Sequence, residues 1–195
     1  HFKITTETAV AAGIRRIEAI TGEAALQYFE DQNQLLLQVN ELLKKPQDIS
    51  KAVTQLQAEN VSLKKELNEL KKQKIQILAQ EAQTEIKDCN GIAFLAKVVD
   101  LDAQSAKDLA FTLGKDRDDL FLVLGSSKVD KPMLSCYISK KLVSEKGMNA
   151  KLVVRELSQY IQGGGGGQPF FATAGGKKSA GIAEALKAAI NLIPS

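Results

Sequence analysis

The sequence predicts an α+β protein, in which a long helical hairpin or coiled coil precedes a compact mixed α/β globular domain. Its 195 residues suffice for one ordinary domain with an elongated appendage. Apolar residues recur at heptad spacing from about residue 23 to residue 83, which is typical of helices that pack side by side. Beyond residue 83 the pattern changes to short apolar runs separated by turn residues. We therefore predict three segments, residues 1–22, 23–83 and 84–195.

The composition excludes several classes of protein. The longest uncharged stretch, Leu157 to Gly176, contains five consecutive glycines and several polar residues, so it cannot span a membrane. The only histidine is His1, and Cys89 and Cys136 are 47 positions apart, which excludes a zinc-type spacing and a histidine-based catalytic set. Two cysteines without a signal peptide indicate a reducing cytoplasm. Because the opening residues resemble the middle of a strand, we expect the chain to be part of a longer protein.

The first segment, residues 1–22, has the pattern of a short β-hairpin. Apolar and polar residues alternate from Phe2 to Thr8, a turn of small residues ends at Gly13, and a second alternation runs from Ile14 to Ile20. This segment is too short to fold alone. We expect it to be partly frayed or packed on a neighbour.

The second segment is predicted to contain two helices. The first runs from Glu23 to Lys45 with one wide apolar stripe and ends at Pro46. The second begins with Asp48 as its N-cap and continues without Gly or Pro to about residue 83. Its predicted seam consists of Ile49, Leu56, Leu63, Leu70 and Ile77 at one heptad position and of Val53, Asn60, Leu67 and Lys74 at the other. The seam fits a hairpin that only spaces two domains and a hairpin that also joins two chains, and the sequence leaves both open.

The third segment is predicted to mix strands and helices. The expected strands are Glu85 to Cys89, Ile92 to Val99, Leu120 to Leu124 and Met133 to Ser139. An Asn90-Gly91 turn is expected to join the first two strands as a hairpin. The expected helix N-caps are Asp102, Asn149 and Ser179, and the helix after Asn149 is expected to reach about Ile161.

The net charge of +3 is distributed unevenly along the chain. Residues 1–83 are balanced and residues 84–130 carry net −3, whereas residues 131–195 hold nine basic and three acidic side chains, net +6. A clustered basic surface favours phosphate binding, because each neutralised phosphate releases condensed counterions. A basic face that is merely solvated is the alternative. The charge argument selects Lys140, Lys141, Lys151, Arg155, Lys177 and Lys178 as candidate nucleic-acid contacts.

A run of five glycines, Gly163 to Gly167, follows a predicted helix and precedes an extended stretch. It therefore matches neither a P-loop nor a dinucleotide fingerprint, each of which follows a strand and opens a helix. Ordering five glycines costs backbone entropy, so we predict a loop whose bare amides closely approach a partner such as an RNA backbone. Tight packing within the domain and disorder are the alternatives.

These patterns together resemble the C-terminal part of bacterial alanyl-tRNA synthetases. Phe2-Lys3-Ile4 and the stretch from Ala11 to Gly22 are similar to the end of that family's editing domain, whose pattern is FKI…AAGxRRIEAxTG. The two helices resemble the family's linker. Asn90-Gly91, the basic helix and the stretch from Gly163 to Gly176 resemble its last domain, C-Ala. The resemblance covers the whole chain.

The resemblance implies a tRNA-binding role. C-Ala resembles the RNA-binding accessory domain of DHH phosphoesterases, and it is thought to hold the outer corner of tRNA(Ala) while bridging aminoacylation and editing. The implied backbone contacts are Gly163, Gly164, Gly165, Gly166 and Gly167. The family usually has an arginine where this chain has Gln168, and we expect Lys177 and Lys178 to compensate.

The resemblance also implies what the chain contains and what its parent requires. The parent would be a cytoplasmic alanine–tRNA ligase that uses ATP, Mg²⁺ and Zn²⁺. This chain would hold no cofactor, no metal and no catalytic residue, because the family's editing zinc ligands lie upstream of the matched region. Its expected partners are tRNA(Ala), the remainder of the synthetase and a possible second copy of the chain, and no membrane.

Two other functions compete with tRNA binding. One is a dimerisation or spacer module of the synthetase with little tRNA affinity of its own. The other is a phosphoesterase of the DHH type, but such an enzyme needs several Asp and His metal ligands and this sequence offers only His1. Cys89 and Cys136 lack a histidine base as well, so we expect both to be small core residues.

Overall fold

The computed structural model describes residues 1–127 and 131–194. The chain forms two compact units, His1–Glu66 and Leu67–Ser195. One continuous helix, α2 (Ile49–Glu85), contributes to both units. The three segments expected from the sequence stay a prediction. Within the described ranges, no helix combines the length and the apolar character that crossing a membrane requires.

The first unit opens with the predicted β-hairpin, and its antiparallel pairing confirms that prediction. The unit contains β1 (Phe2–Ala11), β2 (Ile14–Thr21), α1 (Gly22–Leu42) and the beginning of α2. Gly13 adopts a φ of 76° in the turn between the strands, a conformation that favours glycine. Helix α1 contacts both strands and buries Ala25 completely. The hairpin keeps large apolar side chains exposed, among them Phe2 at 63%.

Both helices of the second predicted segment are present, with small differences at their ends. Helix α1 ends at Leu42, before the expected Lys45, because Lys44 and Lys45 adopt positive φ angles of 62° and 56°. Asp48 caps α2 as expected, and its carboxylate accepts a hydrogen bond from the Lys51 backbone N–H at 3.0 Å. The helix then continues to Glu85, two residues beyond the expected end.

The apolar side chains of the predicted hairpin seam are exposed in the first unit. In the described first unit, α1 and α2 do not pack side by side. Leu42 is 83% exposed on α1, and Leu56 and Leu63 are 58% and 64% exposed on α2. The long helices are thus confirmed, whereas the coiled-coil pairing stays a prediction.

The second unit is a three-layer sandwich around a six-stranded mixed sheet, and it confirms the α+β class. Its strands are β3 (Lys87–Cys89), β4 (Ile92–Val98), β5 (Leu120–Ser126), β6 (Met133–Ile138), β7 (Gly164–Gln168) and β8 (Phe171–Gly175). Its further helices are α3 (Ala103–Gly114), α4 (Lys140–Glu145), α5 (Ala150–Leu157) and α6 (Ile182–Ala188). The strand order is β3-β4-β5-β6-β8-β7, with β4 and β5 parallel and all other neighbours antiparallel.

Helices cover the sheet on both faces. Helix α3 and the second part of α2 pack on one face, where α2 buries Ile75, Ala79 and Ala82. Helices α4, α5 and α6 pack on the other face. Strand β5 is buried throughout, which explains why its sequence is a continuous apolar run rather than an alternation.

The predicted turn and two of the three predicted N-caps are confirmed. Asn90 and Gly91 form the hairpin turn with φ angles of 57° and 73°. Asp102 Oδ1 accepts a hydrogen bond from the Ser105 N–H at 2.8 Å, at the start of α3. Asn149 caps α5 by accepting the N–H of Lys151 at 3.0 Å.

Two expectations about the remaining helices are wrong, and one short helix is additional. Ser179 caps no α-helix, because residues Ser179–Gly181 form a 3-10 turn and α6 begins only at Ile182. Helix α5 ends at Leu157 instead of Ile161, because beyond Ser158 the backbone N–H groups of Gln159 and Tyr160 donate to carbonyl oxygens only three residues back. The short helix α4 was not expected, because six residues carry too little periodicity to be recognised.

Candidate nucleic-acid interface

The five-glycine run belongs to an edge strand, so the prediction of a loop is wrong. Gly164 to Gln168 form β7, which pairs antiparallel with β8 and is the outermost strand of the sheet. A two-residue turn at Pro169 and Phe170 joins the two strands. Glycine is depleted in strands because it offers no side chain for packing, and a sequence-based expectation therefore favours a loop.

Alternate glycines of the run have different surroundings. A Cβ atom at Gly163, Gly165 or Gly167 would collide with backbone atoms of β8 or of the residues that follow it. A Cβ atom at Gly164 or Gly166 would meet nothing within 4 Å. Tight packing, the alternative in the sequence analysis, thus accounts for three of the five glycines. The other two leave the strand bare on one face.

The bare face of β7 is the α3 face of the sheet. Residues that pair across antiparallel strands point to the same face. Gly164 pairs with Gly175, and Gly166 pairs with Thr173. The alternate β8 residues, Ala172 and Ala174, belong to the core on the α5 side. A ligand that approaches the open glycines therefore arrives from the α3 side.

Hydrogen bonds between neighbouring segments mark the two ends of the sheet. We call the end at Ser139 and Pro169 the proximal end, since β6 ends and the β7–β8 turn lies there. We call the end at Pro132 and Gly176 the distal end, where the Gly176 N–H donates to the Pro132 carbonyl oxygen at 2.9 Å.

Three of the predicted basic contacts lie at the proximal end. Lys140 and Lys141 open α4 directly after β6, and both are exposed. Lys151 lies in the first turn of α5, where the Ala150 N–H donates to the Pro169 carbonyl oxygen at 2.8 Å. All three lie on the α4–α5 side of the sheet, away from the open glycines.

Two other predicted contacts lie at the distal end. The backbone N–H groups of Lys177 and Lys178 both donate to the Ile161 carbonyl oxygen, at 2.9 and 3.0 Å. Arg155 is exposed on α5 between the two ends. The six basic residues therefore do not form one patch but line two ends and one side of the domain.

The expected compensation for the missing arginine at Gln168 stays a prediction, but the two lysines lie far from that residue. Gln168 pairs with Phe171 at the proximal end, whereas Lys177 and Lys178 follow the distal end of β8. The four-residue step along β8 from Phe171 to Gly175 alone covers about 13 Å of strand. Neither lysine can place its charge beside Gln168.

A cavity of about 670 Å³ opens at the distal end. It is lined by the backbone of Gly163, Gly164, Gly175 and Gly176, by the apolar Leu101, Ala103, Pro132 and Met133, and by Ser126, Asp102, Lys131, Gln162 and Lys177. Gly164 and Gly175 face each other across the strands, and a Cβ atom on either would meet nothing within 4 Å. The volume suits a small organic group, and two lysines give its rim positive charge.

Asp102 forms part of the cavity wall, and its carboxylate is held in place by an ion pair and a backbone hydrogen bond. Its Oδ2 accepts a hydrogen bond from Lys71 Nζ at 2.9 Å, and its Oδ1 accepts the Ser105 N–H. These bonds, the one from Lys71 above all, hold the pKa of Asp102 well below its usual range. Asp102 is therefore ionised at neutral pH, and a phosphate would be drawn to Lys131 and Lys177 rather than to this wall.

An aromatic cluster borders the proximal part of the same face, and the sequence analysis did not select it. The Phe111 ring centroid on α3 lies 5.3 Å from that of Tyr137, 5.4 Å from that of Phe171 and 6.4 Å from that of Phe170. Lys107 Nζ lies 5.9 Å from the ring centroids of Phe111 and Phe171. The rings come from three separate elements, so no short sequence motif predicts the cluster.

The cysteines are placed as core or near-core residues. Cys136 is fully buried on β6, as expected, and burial raises the pKa of its thiol. Cys89 is half-buried. Across residues 1–127 and 131–194, no three His, Cys, Asp or Glu side chains gather in a way that could hold a metal ion.

Comparison with known proteins places these features in a family context. The model of the DHHA1 domain family matches residues 91–194. The chain is 55% identical over 193 residues to the alanine–tRNA ligase of Christiangramia forsetii and 51% identical over 193 residues to that of Flavobacterium psychrophilum. Each match covers 99% of this chain but only 22% of the relative. The chain thus spans less than a quarter of the length of these relatives.

A solved structure has the same fold over part of the chain. The crystal structure of the C-Ala domain from Aquifex aeolicus alanyl-tRNA synthetase matches with a TM-score of 0.52 at 25% identity. The match covers 56% of this chain and 98% of the C-Ala chain.

Proposed function

This chain belongs to the DHHA1 domain family, and we propose that it is the tRNA-binding C-terminal part of an alanine–tRNA ligase. In this proposal, the globular part holds the backbone of tRNA(Ala) at its outer corner and helps to bridge aminoacylation and editing. The long helices set its distance from the remainder of the synthetase. The resemblance to the C-terminal part of alanyl-tRNA synthetases agrees with the relatives and with the C-Ala fold.

The open face of β7 is the observation that carries the proposal. Gly164 and Gly166 present backbone without side chains, and the adjacent cavity carries Lys131 and Lys177 at its rim. Bare backbone allows a polynucleotide to approach closely, and the two cations can neutralise its phosphates. Lys178 lies at the same end of the sheet and would add to this charge.

The proximal basic residues form a second proposed contact region. Lys140, Lys141 and Lys151 lie together at the proximal end, and Arg155 lies between them and the distal lysines. A tRNA is much larger than this domain, so its backbone can wrap around the β7 edge and reach both regions. Both regions belong to the proposed contact surface, and mutations in each region can measure its share of the tRNA affinity.

Catalysis is proposed only for the parent protein. As an alanine–tRNA ligase it would use ATP, Mg²⁺ and Zn²⁺ in the cytoplasm, and this chain would contribute tRNA affinity without a catalytic residue. Cys136 is buried with a raised pKa, which disfavours the thiolate that a nucleophile requires.

The proposal is tested by measuring the affinity of this chain for tRNA(Ala) and for an unrelated tRNA by fluorescence anisotropy at several salt concentrations. We expect micromolar or tighter binding to both tRNAs, falling steeply with salt, because backbone contacts carry little sequence information. Absence of binding at low salt would contradict the proposal.

A second candidate function is self-association, and the open seam of the helices favours it. Leu56 and Leu63 are 58% and 64% exposed, although they occupy heptad positions. Analytical ultracentrifugation at tens of micromolar distinguishes a monomer from a dimer. We expect a seam-mediated dimer to dissociate in the Leu56→Glu and Leu63→Glu double variant. Gln57→Glu and Lys64→Glu, one position further along the helix, form the matched control.

A further inference from the structure

We propose that the aromatic cluster of Phe111, Phe170 and Phe171, together with Lys107, is a stacking site for an unpaired base of a bound RNA. This inference rests on the proposed function, since it identifies what the α3 face of the domain recognises. It adds a contact that neither charge nor the glycine run indicates.

The cluster is exposed enough to receive a ring. Phe111 is 38% exposed, and Phe170 and Phe171 are half-buried, whereas Tyr137 beneath them is buried. The Phe111 ring is inclined by 48° to that of Phe171 and by 79° to that of Phe170, so the three rings form an open, angled surface. A nucleobase can therefore stack on a ring without opening the core.

A lysine ammonium group lies close to two of the rings. Lys107 Nζ is 5.9 Å from the ring centroids of both Phe111 and Phe171. In the part of the chain that the structure describes, Lys107 forms no ion pair. Its charge is thus available to a phosphate. An aromatic surface beside an available cation is typical of proteins that bind single-stranded RNA.

The cluster continues the open face of the glycine strand. Phe171 pairs with Gln168, and the next pairs along the same face are Thr173 with Gly166 and Gly175 with Gly164. A strand of RNA that runs along β7 toward the cavity therefore passes the cluster at its proximal end. The absence of side chains at the two open glycines lets the sugar-phosphate backbone lie close to the sheet while a base reaches the rings.

The first test replaces the ring but keeps apolar volume. Phe111→Leu is compared with the unchanged chain for binding to tRNA, to single-stranded hexauridylate and to a blunt RNA duplex. Loss of base stacking weakens binding to tRNA and hexauridylate by about 5- to 100-fold. Binding to the duplex stays unchanged, because a duplex offers no unpaired base. Unchanged affinity for hexauridylate and tRNA would overturn the inference.

The second test uses the absence of tryptophan from the sequence. In Phe111→Trp the new indole is the only one, so its fluorescence reports on this position alone. We expect Phe111→Trp to bind RNA as the unchanged chain does and its emission to be quenched by hexauridylate. Ile190→Trp, at a position 47% exposed in the 3-10 turn Ala189–Leu192 that follows α6, is the control and stays unquenched.

The two tests separate this inference from the function on which it rests. Equal quenching at positions 111 and 190, or none at 111, would overturn the stacking site even if tRNA binds. Failure of the unchanged chain to bind any RNA would overturn both. Thermal unfolding of each variant shows that it is folded, and Phe111→Trp decides the question if Phe111→Leu does not fold.

Discussion

The ammonium group of Lys71 lies 2.9 Å from Oδ2 of Asp102, and this ion pair joins the second part of α2 to the N-terminal end of α3. Apolar contacts reinforce the connection, since α2 buries Ile75, Ala79 and Ala82 on the same face of the sheet. Asp102 is also the N-cap of α3 and part of the cavity wall. One carboxylate thus fixes a helix end, a helix–helix contact and one side of the candidate site.

The two roles of Asp102 in stability can be separated by substitution. Asp102→Asn keeps an acceptor for the Ser105 N–H and removes the charge, so we expect a loss below about 1 kcal/mol, because both side chains of the ion pair are partly exposed. Asp102→Ala also removes the cap, and we expect about 1 kcal/mol more. Urea unfolding at pH 7 measures both losses. Equal losses in the two variants would show that the cap contributes nothing.

The contribution of Asp102 to the free energy of unfolding depends on pH, and the lowered pKa of its carboxyl group determines the direction of that dependence. The folded state binds a proton at Asp102 less readily than the unfolded state, whose carboxyl titrates near 3.8. The stabilisation is therefore complete above this value and is lost as the pH falls toward the lowered pKa. We expect the difference in unfolding free energy between the unchanged chain and Asp102→Asn to be constant from about pH 7 to 5 and to shrink below about pH 4. A difference that grows in acid is the opposite result.

Neighbouring glycines of β7 should respond differently to the same substitution. A Cβ atom at Gly165 would collide with Thr173 and Ala174, so we expect Gly165→Ala to destabilise the second unit by about 1–3 kcal/mol. A Cβ atom at Gly166 meets nothing within 4 Å, and Gly166→Ala should be neutral or stabilising by up to about 1 kcal/mol. Thermal and urea unfolding of the two variants test this. Similar stabilities would mean that β7 can move away from β8.

The same comparison indicates which glycine can be substituted to test RNA binding. A bulky side chain at Gly165 would collide with Thr173 and Ala174 of β8, so its effect on RNA binding could not be separated from its effect on folding. Gly166 can carry a side chain toward the α3 face. We therefore expect Gly166→Leu, and not Gly165→Leu, to yield a folded domain with weakened tRNA affinity.

Two pairs of lysines distinguish the proposed contact regions. Replacing Lys131 and Lys177 with Gln removes the charge at the cavity rim and should reduce the slope of log affinity against log salt by about 2, if each neutralises one phosphate. Replacing Lys140 and Lys141 with Gln removes the same charge from the proximal end. Anisotropy with tRNA over a salt series compares the two. An unchanged slope in either double variant excludes that pair from the contact.

Much of the fold follows from local patterns in the sequence. The hairpin of β1 and β2, the turn at Asn90-Gly91 and the N-caps at Asp48, Asp102 and Asn149 each depend on residues close in the chain. Such features are encoded by backbone preferences and short-range hydrogen bonds, which a sequence displays directly.

The glycine strand shows where local inference fails. β7 exists because Gly163, Gly165 and Gly167 can approach β8 and its flanking residues more closely than any other residue could. That reason lies in the neighbouring strand, and local propensity points to a loop instead. The predicted basic contacts stay predictions, but their arrangement could not be read from the sequence, since a net charge counted along the chain does not show that Lys140 and Lys177 lie at opposite ends of the sheet. The aromatic cluster, assembled from α3, β6 and β8, needed the tertiary fold before it could be recognised.

The position of Cys136 makes the opening of the second unit measurable as a chemical rate. Its thiol is fully buried on β6, between β5 and β8, and its raised pKa further suppresses the reactive thiolate. A thiol reagent can therefore modify Cys136 only in molecules whose core between the sheet and helices α4, α5 and α6 has opened, whereas the half-buried Cys89 is closer to solvent. The labelling rate of Cys136 relative to Cys89 thus reports the opening of this core. A ligand that binds to β7 and β8 should lower the labelling rate of Cys136, and the rate should fall further as a larger fraction of the protein is bound.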